Sequence, residues 1–359
     1  MKYKKYFSSS LLQWDNTENV RQMPWKCEKD PYKIWISEII LQQTRVQQGI
    51  NYYIRFITEF PDVKSLATAP QKKVYKLWEG LGYYSRCKNL IETAKFIYKN
   101  LDGKFPEKYE DILSLKGIGN YTASAIASFA YNKPYAVLDG NVFRVLSRFF
   151  GIEIPINTTE GKKMYRQLSQ QLIDKQRPAE YNQAIMDFGA VICKPLLPLC
   201  KECPLRKKCL AYFDNKTELL PINNKTVKQK QRFFNYLIVE YKSKFYVNKR
   251  TQKDIWENLY EFILIETKSW KKEKEIFIDA SFLALIQDNI YMLKSESKRI
   301  MQKLTHQHIV GHFFHIEIGK PLKKSEKYYL VPKKEIKLLP FPKIIASYFA
   351  DKNVSLNLL

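Results

Sequence analysis

Through most of the first 213 positions, apolar residues recur at the three- and four-residue spacing of helices. Asp30-Pro31 reads as a helix start, with Asp at the cap and Pro at the first helical position. The segment YKIWISEIILQQTRVQQGINYYIRFITEF then carries the pattern as far as Pro61. PQKKVYKLWEGLGYYSRCKNLIETAKFIYKNL predicts two helices separated by Gly80-Leu81-Gly82. YEDILSL and NYTASAIASFAY predict a pair flanking Gly117-Ile118-Gly119. NVFRVLSRFFG, KKMYRQLSQQLI and AEYNQAIMDFGAVIC complete an all-α region over residues 1–213. The pattern then changes. DNKTELLPINNKTVKQKQR (Asp214–Arg232) is polar, basic and aperiodic, and reads as a linker over 214–232. Beyond it FFNYLIVEY, KFYVNKR, YEFILIE and FFHIEIGK predict strands, while DASFLALIQDN and FPKIIASYFA predict helices. Residues 233–359 are therefore expected to form a separate α+β or α/β domain.

A length of 359 residues suits this two-domain reading. Charge adds a class of partner. Lys and Arg number 60 against 36 Asp and Glu, a net +24. The excess is spread over both parts, +13 over residues 1–213 and +11 over the rest, so it is not a basic tail. A chain basic throughout suits a long polyanion such as DNA. A lysine-rich composition imposed by an AT-rich genome produces the same excess, so charge alone does not decide. No run approaches the roughly 18 apolar residues of a membrane span, and no membrane partner is expected. The start, MKYKKYFSSSLLQW, has no apolar core of a secretory signal.

Candidate chemistry lies in two places. In LSLKGIGNYTASAIASFA a short helix ends near Lys116, Gly117-Ile118-Gly119 turns the chain, and a new helix begins near Asn120. Glycines there permit positive φ and close approach of another surface. Backbone N–H groups at a helix start favour an anion, here a DNA phosphate. The alternative is an ordinary helix corner. The second place is Cys193, Cys200, Cys203 and Cys209, spaced C-x6-C-x2-C-x5-C. Four thiols crowded into residues 193–209 point to a soft metal in a reducing, cytoplasmic setting rather than to a secreted disulfide framework. Structural zinc usually draws on two C-x2-C pairs and only one is present, so a [4Fe-4S] cluster is the better fit. The loop also carries Lys201, Arg206, Lys207 and Lys208, which suit phosphate contact. Cys27 and Cys87 are isolated and read as plain thiols.

With WISEIILQQTRV and VLDGNVFRVLSR added, the chain resembles the helix-hairpin-helix DNA glycosylases of the endonuclease III superfamily. Within them it is most similar to the adenine DNA glycosylases of the MutY type. MPWK, LWEGLGYYSR, GKFP, GIGNYTA, LDGNVFRVL, NQAIMDFGAVIC and the cysteine loop stand in that family's order over residues 23–213. The resemblance implies hydrolysis of adenine from double-stranded DNA in which it is paired with 8-oxoguanine or guanine. It also implies a monomer, bacterial-type and nucleoid-associated when bound; a sliding-clamp contact stays open.

Four residues would carry that reaction. Glu38, among Ile34, Trp35, Ile39 and Leu41, is the candidate acid that protonates the purine at N7, its pKa raised by desolvation. Asp139, just before a helix, is the candidate carboxylate under the developing sugar cation, kept ionised by the helix dipole and free N–H groups. The pairing follows the two-carboxylate logic of glycoside hydrolysis. Asn141 matches a family residue that positions sugar and nucleophile. Tyr121 stands where strand-cutting relatives carry lysine; a phenol forms no Schiff base, so base removal without strand cleavage is expected.

For DNA contact, the resemblance implies Gln43 and Tyr83 as wedges into the duplex and Gly117 and Gly119 as the phosphate grip. In the second domain it implies a Nudix-like fold that reads 8-oxoguanine. KRTQKDIWENLYEFILIE matches part of that domain, and LTHQH matches the family's Phe-Ser-His loop, with Leu304 and Thr305 replacing Phe and Ser. Thr305 keeps a hydroxyl, and His306 is the candidate DNA contact. No Nudix box is present, so pyrophosphate hydrolysis is not expected. As a strand, the segment would put His306, His308 and His312 on one face and His315 on the other. Two rivals remain: a thymine glycosylase acting on G·T, against which Glu38 argues, and a non-catalytic iron–sulfur DNA-binding protein.

Overall fold

The computed structural model describes residues 3–224, 229–323 and 327–350. Part of the expected linker (225–228) and the last nine residues of the expected second domain lie outside them. By contacts the chain divides into two compact units, one of residues 1–68 and 89–225, the other of 69–88 and 226–359.

The described helices before the strands are α1 (Lys4–Thr17), α2 (Pro31–Leu41), α3 (Val46–Glu59), α4 (Val63–Thr68), α5 (Gln71–Trp78), α6 (Tyr84–Asn100), α7 (Tyr109–Ser114), α8 (Asn120–Phe129), α9 (Gly140–Phe150), α10 (Thr159–Leu172), α11 (Pro178–Val191) and α12 (Leu210–Phe213). Local chemistry sets several ends. Asp30 caps α2 by accepting from the Tyr32 N–H at 2.9 Å, with Pro31 behind it. Gly151 closes α9 in the left-handed conformation. The helical run from Pro31 to Pro61 is in fact two helices. It breaks at 42–45, where Gln43 adopts φ +56, and no Gly or Pro marks the break. The core of this unit gathers Phe7, Leu11 and Trp14 of α1, Val145, Leu146 and Phe149 of α9, and Ile185 and Phe188 of α11.

In the second unit, segment 69–88 is tied to residues far along the chain. Lys76 Nζ donates to the Leu339 carbonyl at 3.1 Å, and the Phe341 N–H donates to Glu79 Oε1 at 2.9 Å. The rest is a mixed sheet of β1 (Lys230–Tyr241), β2 (Lys244–Lys249), β3 (Tyr260–Glu261), β4 (Ile263–Thr267), β5 (Tyr291–Glu296), β6 (Ile300–Lys303), β7 (Gln307–Ile318) and β8 (Tyr329–Pro332). It carries helices α13 (Glu273–Phe277), α14 (Ala280–Ile286), α15 (Lys333–Ile336) and α16 (Lys343–Phe349). The path runs β3-β2-β1-β7-β5, with β4 on β1, β6 on β7 and β8 on β2. β1 and β7 are parallel, with Phe234 opposite Gly311 and Tyr236 opposite Phe313; the other pairs are antiparallel. These two strands form the buried spine, as the near-continuous apolar runs in both require.

The histidines follow the expected pattern except at His306. His306 lies in the turn before β7, outside the strand. His312 and His315 point to opposite faces and pair with different carboxylates, Glu296 at 2.7 Å and Glu240 at 2.8 Å, so they cannot share an ion.

Candidate active site

Glu38 sits in the third turn of α2, whose neighbours Ile34, Trp35 and Ile39 are all buried. Glu38 is itself buried, 6% exposed as a residue. Desolvation pushes its pKa from 4.5 up to about 7; a hydrogen bond from Tyr121 opposes the rise and the charge of Asp139 adds to it. The sequence placed an acid here, and burial gives it the poise of one at neutral pH.

Tyr121 stands at the second position of α8, directly behind the glycine turn. Its phenol reaches the Glu38 carboxyl and lies 3.4 Å from Met186 Sδ of α11. Burial and the two nearby carboxyl groups raise its own pKa well above the usual 10, so it acts as a donor and not as a phenolate.

Asp139 is the N-cap of α9. One oxygen accepts from the Val142 N–H at 2.8 Å and the other from Asn141 Nδ2 at 2.8 Å. The cap was expected to hold the group ionised. Burial raises its pKa above 3.8, and the bonds from Val142 and Asn141, with the Arg144 charge, favour the ionised form and offset part of that rise. The charge of Asp139 adds to the rise at Glu38, while its own carboxylate is held by the Val142 and Asn141 donors.

Sequence spacing missed what stands behind these residues. Arg144 is buried and spans the site from the rear. Its guanidinium donates to Asn141 Oδ1 at 2.8 Å and to the Gly140 and Gly189 carbonyls, and its Nε donates to the Cys193 carbonyl at 2.7 Å. A continuous set of hydrogen bonds thus joins Asp139, through Asn141 and Arg144, to the first cysteine of the loop. Gly189 lets α11 approach: a Cβ there would stand 2.6 Å from Asn141 Cβ. Beside Met186, the fully buried Asp187 pairs with Arg21 and, at 3.3 Å, with Lys26, and accepts from Asn19 at 3.0 Å. MPWK and NQAIMDFGAVIC contain or flank these positions, but the contacts span 160 residues and more, which no local pattern reports.

The two glycines of the hairpin differ. Gly117 has φ +80, and a Cβ there would meet Asn89 Cβ at 2.7 Å. Gly119 is extended (φ −96), and a Cβ there would meet nothing within 4 Å. Gly119 is also the cap position of α8, with no side-chain cap on the first N–H groups. Gln43 is exposed and left-handed.

In the second unit, Tyr83 also has positive φ (+46) and is 46% exposed. Its ring lies under the Arg86 guanidinium and its hydroxyl bonds to Thr305 Oγ1 at 2.8 Å. Thr305 and His306 form the exposed tip between β6 and β7, closed by Leu304 N–H to the Gln307 carbonyl at 2.8 Å.

Cys193, Cys200, Cys203 and Cys209 are free thiols, half-buried on one loop and near enough to perturb one another. Burial pushes Cys203 up to about 12 and Cys209 up to about 11, so ionising them requires a positive centre. Buried Arg148 supplies counter-charge: Nη1 stands 3.4 Å from Cys193 Sγ and 2.7 Å from the Lys194 carbonyl. Among the described residues no three His, Cys, Asp or Glu side chains are close enough to share a single ion. Four Cys thiols on one loop, with Arg148 beside the first, are the donor type that an iron–sulfur cluster takes.

Residues 36–175 match the family model of HhH-GPD superfamily base excision DNA repair proteins, and residues 235–351 match that of the NUDIX domain. The adenine DNA glycosylase of Buchnera aphidicola subsp. Acyrthosiphon pisum is 38% identical over 282 residues, 77% of this chain and 80% of its own. The mouse adenine DNA glycosylase is 41% identical over 215 residues, 57% of this chain and 42% of its own. Among solved structures, a thermostable thymine-DNA glycosylase matches with a TM-score of 0.55 at 31% identity, covering 59% of this chain and 98% of that one.

Proposed function

The chain belongs to the adenine DNA glycosylases, and from that premise we propose that it hydrolyses adenine paired with 8-oxoguanine or guanine, leaving an abasic site in an uncut strand. The observation that carries the reading is Glu38: a carboxyl buried beside a second carboxyl and poised near pH 7, with a tyrosine on it where a strand-cutting enzyme needs an amine.

The chemistry follows from the charges. Breaking the bond from adenine N9 to the sugar leaves an anionic purine and an oxocarbenium-like sugar. Protonated Glu38 gives its proton to N7, which turns the base into a neutral leaving group. Ionised Asp139 stands beneath the sugar cation, held by Val142 and Asn141. With no amine at position 121, water completes the reaction and no imine forms. The adenine leaves the stack to reach this buried acid. Gln43 and Tyr83 fill the gap, Gly117 and Gly119 hold the flanking phosphate, and Thr305 and His306 read the opposite base.

Cys193, Cys200, Cys203 and Cys209 would hold a [4Fe-4S] cluster, which would rigidify the loop bearing Lys201, Arg206 and Lys207. The protein acts as a monomer on double-stranded DNA.

A panel of duplexes tests the substrate. Free adenine from A opposite 8-oxoguanine and, more slowly, opposite guanine is expected, with nothing from a G·T duplex. Thymine release from G·T would overturn the reading; the likeness to a thymine-DNA glycosylase makes that arm necessary.

A further inference from the structure

The cysteine loop is braced by a helix from the other end of the sequence. Helix α1 is anchored through Phe7, which packs against Phe149 and Phe150 at 4.8 and 5.7 Å, and through Ser8, which donates to the Leu172 carbonyl at 2.7 Å. Immediately before that anchor, Tyr6 Oη donates to the Pro204 carbonyl at 2.8 Å, between the third and fourth cysteines. Lys208, the residue before the fourth cysteine, places its ammonium 4.1 Å from the Tyr6 ring centre and 4.9 Å from that of Tyr3. The spacing of basic residues puts Lys208 with Lys201, Arg206 and Lys207 as a phosphate contact. The structure takes it out of that set: Lys201 and Lys207 are exposed, whereas Lys208 is half-buried with its ammonium against two rings of α1 and its cap.

A half-buried cation over two aromatic faces holds more firmly than an exposed one. A hydroxyl bonded to a proline carbonyl ties a short turn, closed on itself by Arg206, Lys208 and Cys209 N–H bonds to the Cys203, Leu205 and Arg206 carbonyls, to a separate helix. Both contacts act on the five residues between Cys203 and Cys209, and Leu205 there is buried in the same core as α1. The first-to-second cysteine segment is held differently, by Arg148 at the Lys194 and Pro195 carbonyls. Each half of the loop thus has its own brace.

We propose that α1 is a strap on the cysteine loop: Tyr6 and Lys208 are positioning residues that hold the third and fourth cysteines in place and set how firmly the iron–sulfur cluster is retained. The inference rests on the cluster assigned above. It makes retention of the group at residues 193–209 depend on residues 3–8, a dependence that no cysteine motif contains.

The test uses the purified full-length protein and three variants, Tyr6→Phe, Lys208→Met and Lys208→Arg. Visible absorbance of the cluster is followed under an iron chelator, alongside thermal unfolding. Tyr6→Phe and Lys208→Met are expected to lose the absorbance about three- to tenfold faster, the scale of one net hydrogen bond or cation–π contact. Lys208→Arg keeps the cation and should match the parent. Tyr6→Phe should leave adenine release per loaded cluster unchanged. Equal decay in all four proteins would overturn the strap, as would a fall in melting temperature that accounts for the faster loss. A parent without iron and labile sulfide refutes the cluster assignment instead. The strap is then judged by trypsin cleavage after Lys207, faster in Tyr6→Phe if it holds and equal if it does not.

Discussion

The Tyr121 phenol lies beside the buried Glu38 carboxyl, and its hydroxyl dipole opposes the desolvation that raises the acid's pKa. Tyr121→Phe removes the one donor that favours the carboxylate. The Glu38 pKa should rise further above about 7. Because the acid acts protonated, the descending limb of the rate profile should move to higher pH, while the ascending limb, set by Asp139, stays. Single-turnover rates from pH 5 to 9 measure this. A downward move of the limb would contradict the assigned direction.

The same burial has a thermodynamic consequence. Glu38 titrates near 4.5 when unfolded and near 7 when folded. Its raised pKa contributes stability that is complete below about pH 4.5 and lost as pH climbs to 7. Above that, holding the carboxylate in the core costs about 3 kcal/mol. Glu38→Gln should therefore be inactive yet melt several degrees above the parent at pH 8, with the difference vanishing near pH 4.5. A variant less stable at pH 8 would refute the buried-carboxylate account.

The hairpin glycines should separate structure from binding. Gly117→Ala meets both a positive φ and Asn89, and should destabilise the protein by about 1–3 kcal/mol. Gly119→Ala meets neither, so its melting temperature should hold. If the uncapped start of α8 receives a phosphate, Gly119→Ala weakens duplex binding all the same. Titration at two salt concentrations, beside thermal melts, checks both halves.

Gly189→Ala drives a methyl group to within 2.6 Å of Asn141 Cβ. The α9–α11 packing must give, and the side chain that holds Asp139 moves with it. A stability loss of about 1–3 kcal/mol is expected. The fall in the rate of base release should exceed what that loss explains, measured on the folded fraction.

How much of this was legible follows from the range over which each residue acts. Asp30-Pro31, Gly117 and Gly151 act on their own backbone, and local pattern finds them. The break at Gln43 has no such signature, since a glutamine forced to φ +56 looks like any other helical glutamine. Strands β5, β6 and β8 are short and at most partly buried, so they lack the long apolar runs that marked β1 and β7. Glu38, Tyr121 and Asp139 lie 83 and 18 residues apart in turn. Only the family resemblance joined them before the fold did. Arg144, Asp187 and Gly189 matter through partners far along the chain, and no spacing rule reaches them.

The central claim, adenine removal by water without strand cutting, is tested most directly on one duplex. A strand labelled at its 5′ end and carrying A opposite 8-oxoguanine is incubated with excess protein, then divided before and after hot alkali. The account predicts free adenine in both samples and a broken strand only after alkali. A strand already cut before alkali, or a borohydride-trapped covalent complex at a rate matching base loss, would contradict it.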